Sequence, residues 1–197
     1  MPTRTNTKNL ERIRHSLSHV LAMAVLELFP KAKLGVGPVI ENGFYYDFEL
    51  PRALTAEDLP KLEVTMRKLI GQKLAFKKKE VKLAEAIAWA NEHDQPYKAE
   101  LLRDLQEHGT TRYDEIHEGN ASENDKQKQP TKTVSFYTTG SFRDLCRGSH
   151  VATTKGINPD AFALTRLAGA YWRGSEKNPQ LQRVYGVAFA TKKELDH

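Results

Sequence analysis

The first thirty residues constrain the fold more than any other part of the chain. Between residues 8 and 29, Leu10, Ile13, Leu17, Leu21, Ala24 and Leu28 recur at the spacing of one helical face, and Pro30 ends the run. Nearly opposite that stripe lie His15 and His19, continued by Ala22 and Leu26. A helix apolar on two sides is wedged between layers rather than laid on a surface, which predicts that the histidines face a cleft or a second core. Four residues apart, the imidazoles sit one turn apart on the same face. Such a pair can clamp a metal, hold a water or do neither.

The remaining elements suggest what encloses that helix. Asn42-Gly43 is a tight-turn signal flanked by Val39-Ile40 and Phe44-Tyr45-Tyr46-Asp47-Phe48, so residues 33–50 read as a hairpin. Gly35, Gly37 and Pro38 interrupt its first arm. An amphipathic helix is expected at 55–73, a strand at 74–82, a short helix at 83–93, and another helix opened by Pro96 and running to about 106. Residues 108–131 turn polar, with 119–125 at their centre, and read as a loop or partly disordered insert. Strands are expected at 133–138, 161–172 and 181–190, and residues 191–197 begin another helix. Strands and helices outside a βαβ rhythm indicate an α+β fold, with a largely antiparallel sheet packed with a long N-terminal helix and further helices in two lobes. Residues 1–197 read as one domain with a smaller helical and polar insert at about 83–132. The unfinished final helix suggests an excerpt from a longer chain.

No apolar run approaches the roughly eighteen residues of a membrane span. Met1-Pro2-Thr3-Arg4 has no apolar signal core behind it, so a cytoplasmic protein is expected. The single cysteine, Cys146, excludes an internal disulfide and poses the question of a reactive or ligating thiol. The net charge of +5 is segmented: residues 61–82 carry +6, 83–125 carry −8 and 126–197 carry +7. That asymmetry suits basic surfaces for a polyanion, although a solvated face explains Lys77-Lys78-Lys79 equally well.

A second chemical constellation is Cys146-Arg147-Gly148-Ser149-His150. With His15 and His19, Cys146 and His150 make a plausible tetrahedral zinc set, though at a spacing unlike the Cys-x-x-Cys pairs of fingers and ribbons. Cys146 beside His150 is also a conceivable nucleophile. Lys98 follows Pro96-Tyr97 at a helix start, where a lysine is electrostatically misplaced. Asp144 stands ready to orient a histidine or a lysine. Tyr171-Trp172-Arg173-Gly174 and Gln182-Arg183-Val184-Tyr185-Gly186 mix aromatics with arginine, which suits stacking on bases and contacting phosphate as well as it suits buried strands.

Taken in order, His15-Ser16-x-x-His19, Gly37-Pro38-x-x-x-x-Gly43-Phe44-Tyr45-Tyr46-Asp47-Phe48, Tyr97-Lys98, Asp144-Leu145-Cys146-Arg147-Gly148-x-His150, Gly169-Ala170-Tyr171-Trp172-Arg173-Gly174 and Leu181-Gln182-Arg183-Val184-Tyr185-Gly186 resemble the editing domain of bacterial-type threonyl-tRNA synthetases. The blocks cover nearly the whole chain apart from the polar insert. Ser149 departs from the family pattern, which has proline there. The related alanyl-tRNA editing proteins share the His-x-x-x-His and Cys-x-x-x-His frame, but they have Cys-Gly-Gly-x-His and lack the Tyr-Trp-Arg-Gly block.

The resemblance implies hydrolysis of seryl-tRNA(Thr), with threonine excluded by its extra methyl, within a threonine-tRNA ligase whose catalytic and anticodon-binding domains this chain lacks. It implies His15 and Lys98 as leading catalytic groups, Asp144 in support, and His19, Cys146 and His150 lining the pocket. Tyr46, Arg147, Gly148, Trp172 and Arg173 are expected on the substrate side. No cofactor is expected to be required, and zinc at His15, His19, Cys146 and His150 stays open as the alternative. The implied partners are the acceptor end of tRNA(Thr) carrying serine and the remainder of the synthetase chain, homodimeric at full length, with no membrane. The rival readings are a zinc-dependent alanyl-type deacylase acting in trans and a non-catalytic tRNA-binding module.

Overall fold

The computed structural model describes residues 4–112 and 131–197, with side chains from residue 7 onward. The centre of the expected polar insert, 119–125, lies outside the described residues. The first element is the helix α1 (Arg4–Leu28), and it is indeed buried on more than one side: Leu17, Val20, Leu21, Ala22, Ala24 and Val25 are all inaccessible to solvent.

One face of α1 packs on an antiparallel sheet. Two short strands, β1 (Lys33–Leu34) and β2 (Val39–Ile40), share one edge of β3 (Gly43–Glu49), and β8 (Gln180–Ala188) and β7 (Phe162–Tyr171) continue from its other edge. The turn forms where Asn42-Gly43 predicted it, with Asn42 at φ 58°. Gly43 is required by a close approach, since a Cβ there would lie 2.1 Å from the Gly186 carbonyl oxygen. Phe44, Tyr46 and Phe48 alternate onto the α1 side and are fully buried. Helix α2 (Asp58–Gly71) completes this core through Leu62, Met66, Leu69 and Ile70.

The second lobe has its own core. Strands β4 (Lys77–Lys82), β5 (Thr133–Thr139) and β6 (Phe142–Leu145) form a three-stranded antiparallel sheet covered by α3 (Leu83–Glu92) and α4 (Pro96–His108). Val81, Ala86, Leu102 and Phe136 pack together there, so the helical segment expected as an insert shares one core with the β4–β6 sheet. Pro96 occupies the first turn of α4, and Gly109 closes the helix at φ 68°. The sequence reading missed β6, a four-residue strand whose Phe-Arg-Asp-Leu pattern is too short to stand out from a loop. Phe142 at its start joins the α1 core and meets the His19 ring edge-on, so α1 is wedged against both lobes. No described helix is long and apolar enough to cross a membrane.

Candidate functional site

The wedge places its histidines where the lobes meet. Helix α1 supplies His15, Ser16 and His19, β6 supplies Asp144, the loop after β6 supplies Cys146 and His150, β3 supplies Tyr46, and the first turn of α4 supplies Lys98. These positions are far apart in sequence, and the fold gathers them into two joined groups.

The first group is the imidazole–thiol cluster. His15 stacks on His150 with centroids 4.1 Å apart, and His19 lies 4.2 Å from His150. Cys146 Sγ is 3.3 Å from Nε2 of both His15 and His150. His15 Nδ1 is 3.1 Å from the Ser149 carbonyl oxygen. A carbonyl only accepts, so that nitrogen carries the hydrogen and His15 Nε2 presents its lone pair. Burial lowers the pKa of His15, takes that of His150 down to about 2 and pushes His19 well below the usual imidazole value, helped in the last two by the neighbouring imidazoles, which cannot all be charged together, and for His19 also by Lys98. Burial also raises the Cys146 thiol to about 11. Near neutral pH the cluster is therefore three neutral imidazoles around a protonated thiol.

The second group is a buried charge network. Lys98 Nζ lies 2.8 Å from Asp144 Oδ1, Tyr46 donates its hydroxyl hydrogen to Asp144 Oδ2 at 2.6 Å, and Lys98 donates to the Tyr46 oxygen at 3.2 Å. His19 Nε2 stands 3.6 Å from Asp144 Oδ2, which joins this network to the cluster. Burial, reinforced by Asp144, holds the Tyr46 phenol well above its ordinary pKa, so it stays a donor. Gly37 makes room for the Tyr46 ring: a Cβ there would lie 2.2 Å from Cδ2.

Donor atoms of His15, His19, Cys146 and His150 all lie within 4.8 Å of one another, a set that could hold a metal ion. Buried His19 Nδ1 has no hydrogen-bond partner among the described residues. A tetrahedral zinc ion wants nitrogen and sulfur donors about 3.5 Å apart, so the residue types and their spacing fit zinc after a small contraction.

Of the residues expected on the substrate side, Tyr46 joins the network, and Arg147 and Gly148 follow Cys146 in the loop after β6, where Cys146 and Arg147 line a cleft. That cleft, of about 330 Å³, is also walled by Leu101, Leu105 and Ser135. Trp172 and Arg173 are elsewhere. Trp172 is buried against Tyr97 and donates its indole N–H to Glu100, while Arg173 pairs with Glu100 and Asp104. Adjacent residues of α4 thus serve two places: Tyr97 packs on Trp172, and Lys98 reaches Asp144. A wider cleft of about 890 Å³ runs along that second place, lined by Tyr45, Asp47, Trp172 and Arg183, and it shares Leu101 and Thr111 with the smaller one.

The outer face of the larger sheet carries an arginine–tyrosine ladder. Arg183 lies 3.8 Å over the Tyr45 ring and Arg166 lies 3.8 Å over Tyr185, while the two tyrosine rings are 5.6 Å apart. Arg183 also forms a two-pronged pair with Asp47 at 2.7 and 2.9 Å. Sequence reasoning singled out Arg183 and Tyr185 but missed Tyr45 and Arg166. Period-two alternation against buried Phe44 and Tyr46 is the signal that puts Tyr45 on this face. It also gave no role to Ser16, which is fully buried and hydrogen-bonded to His150.

Comparison with known proteins agrees with the resemblance in the motifs. Residues 134–185 match the family described as threonyl and alanyl tRNA synthetase second additional domain. The chain is 47% identical over 188 residues to a threonine–tRNA ligase of Dehalococcoides mccartyi, a match covering 95% of this chain and 27% of that protein. The corresponding enzyme of Citrifermentans bemidjiense is 46% identical over 194 residues, covering 98% of this chain and 26% of the relative. That of Gloeobacter violaceus is 43% identical over 192 residues, covering 98% and 27%. The chain spans about a quarter of the length of the curated relatives it matches. It is similar, almost from end to end, to one segment of threonine–tRNA ligases.

Proposed function

We propose that this chain is the editing part of a threonyl-tRNA synthetase and hydrolyses the ester joining serine to the 3′-terminal adenosine of tRNA(Thr). The observation that carries the reading is the Lys98–Asp144 pair, buried with Tyr46 and joined through His19 to the imidazole–thiol cluster. Burying a charge pair is costly, so a lysine, a carboxylate and three neutral imidazoles gathered beside a cleft favour chemistry over mere support.

The need for such a site is physical. Serine is threonine without a methyl, and one methyl separates two substrates by only about 1–3 kcal/mol in a synthetic pocket. A second pocket that admits serine and clashes with the extra methyl supplies the remaining discrimination. Neutral His15 has its Nε2 lone pair turned to the Cys146 thiol, and a water that takes the place of the thiol hydrogen there can be oriented by that nitrogen and give up its proton to it. The ammonium of Lys98, held by Asp144 and Tyr46, stabilises the oxyanion that develops on the ester or anchors the adenosine end. Cys146 and His150 wall the pocket. No metal is required in this scheme. If zinc binds, His15, His19, Cys146 and His150 hold it, and the ion supplies an acidified water or a polarised ester carbonyl.

The acceptor end of tRNA(Thr) and the remainder of a synthetase chain, homodimeric at full length, are the partners of this reading. The arginine–tyrosine ladder supports the first, since such faces stack on bases and meet phosphates. Seryl-tRNA(Thr) hydrolysis by the wild type and Lys98→Ala tests it: loss of activity in the variant is expected, unchanged hydrolysis would remove Lys98 from the chemistry, and no hydrolysis by the wild type would leave a non-catalytic tRNA-binding module.

A further inference from the structure

The donors and acceptors around Cys146 can be linked in one direction through Ser16, and we infer that Ser16 is a positioning residue that sets the tautomer of His150 through a directed hydrogen-bond wire. The wire runs through five contacts. The Val151 N–H donates to Ser16 Oγ at 3.0 Å, and Ser16 Oγ is 3.1 Å from His150 Nδ1. His150 Nε2 and His15 Nε2 each lie 3.3 Å from Cys146 Sγ, and His15 Nδ1 is 3.1 Å from the Ser149 carbonyl oxygen.

Both ends of the wire have a fixed direction. A backbone N–H can only donate and a carbonyl can only accept. At the carbonyl end His15 carries its hydrogen on Nδ1, so its Nε2 accepts, and the thiol hydrogen of Cys146 goes there. Sulfur then has no hydrogen left for His150, whose Nε2 must donate, and His150 Nδ1 must accept the hydroxyl hydrogen of Ser16. Moving the sulfur proton onto His15 Nε2 leaves the assignment of His150 and Ser16 unchanged. This pattern places one hydrogen in each of the five contacts of the wire and leaves the Arg12 carbonyl, 2.8 Å from Ser16 Oγ, to its helix bond.

Ser16 has a second orientation. Its oxygen is 2.8 Å from the Arg12 carbonyl, the group one turn back that the helix ladder already serves. Were the hydroxyl hydrogen turned there, His150 would carry its hydrogen on Nδ1, and two Nε2 lone pairs would meet one thiol hydrogen. One part-buried contact would then lack its hydrogen, at the cost of a less well satisfied polar group. The hydroxyl of Ser16, fully buried, is thus the element that makes His150 a donor to the pocket.

The effect on activity rests on the hydrolytic reading above, whereas the tautomers do not, and the test separates the two. Histidine-15N-labelled protein, treated with chelator, is measured by long-range proton–nitrogen correlation for the wild type, Ser16→Ala and Ser16→Thr, and each is assayed on seryl-tRNA(Thr). The expected wild-type result is His15 protonated on Nδ1 and His150 on Nε2. Ser16→Ala, checked for folding by circular dichroism, should give a mixture of His150 tautomers and lower kcat about tenfold with KM within about twofold, the scale of losing a supporting hydrogen bond to an active-site histidine. Ser16→Thr, which keeps the hydroxyl, should restore both readouts. A wild-type His150 protonated on Nδ1 overturns the proposal, and so does a Ser16→Ala protein with the wild-type tautomer and kcat. Predicted tautomers in a protein without deacylase activity would refute the hydrolytic reading and leave the wire standing.

Discussion

Lys98 Nζ and Asp144 Oδ1 lie 2.8 Å apart with both side chains 3% exposed, although one comes from the first turn of α4 and the other from β6. Removing either partner leaves an uncompensated charge on a side chain that is almost wholly buried. Asp144→Ala is therefore expected to destabilise the protein by about 3–5 kcal/mol in urea unfolding. Adding Lys98→Met to that variant should recover part of the loss. Costs that simply add would show that the two residues are not energetically coupled.

The basic strand β4 and the ladder on the larger sheet make different predictions for tRNA. Lys77, Lys78 and Lys79 are exposed, and replacing all three by glutamine should make the salt dependence of tRNA binding shallower by about one unit of slope for each phosphate no longer neutralised. Arg166→Ala with Tyr185→Ala should raise KM for seryl-tRNA(Thr) about fivefold through weaker stacking and leave kcat unchanged. An unaltered salt slope in the first variant would mean that β4 is a solvated face.

Asp58 links stability to pH. Arg52 donates two hydrogen bonds to its carboxylate at 2.7 and 2.9 Å, the Thr55 N–H adds a third, and together they hold its pKa well below the usual carboxylate range. A depressed carboxyl contributes stability that is present above its unfolded-state pKa and lost as pH falls through the folded value. Asp58→Asn should lower the thermal midpoint at pH 7 by about 2–4 °C. The gap between variant and wild type should hold down to about pH 5 and close on further acidification. Scanning calorimetry from pH 2 to 8 measures both.

Zinc separates the two open readings of the cluster. Chelator-treated protein, shown by elemental analysis to be free of zinc, is expected to keep full deacylase activity. Activity that disappears on treatment and is restored by one equivalent of zinc would make the site that of a metallohydrolase.

Much of this was legible in the sequence because local signals dominate. The double apolar stripe of α1, Asn42-Gly43, Pro96 at a helix start and the β7 and β8 runs each state their structure within a few residues. The pairing of His15 and His19 with Cys146 and His150 came from residue types alone, and the fold brings all four together. What the sequence could not show is which way the side chains of neighbouring residues run. Trp172 and Arg173, expected on the substrate side, pair with Glu100 and Asp104 from a 3-10 turn at Trp172–Gly174 and line the wider cleft rather than the imidazole–thiol cluster. Ser16 was hidden for the opposite reason. A serine between two histidines has no pattern of its own, and its partner is 134 residues away.

The most direct test of the account is the rate at which the protein hydrolyses seryl-tRNA(Thr) and threonyl-tRNA(Thr), measured side by side for the wild type, Lys98→Ala and His15→Ala. The wild type should prefer the seryl ester by about a hundredfold, the upper range of what one excluded methyl supplies. Each substitution should lower seryl ester hydrolysis by about a hundredfold, with tRNA binding retained. Equal rates on the two esters, or variants as fast as the wild type, would contradict it.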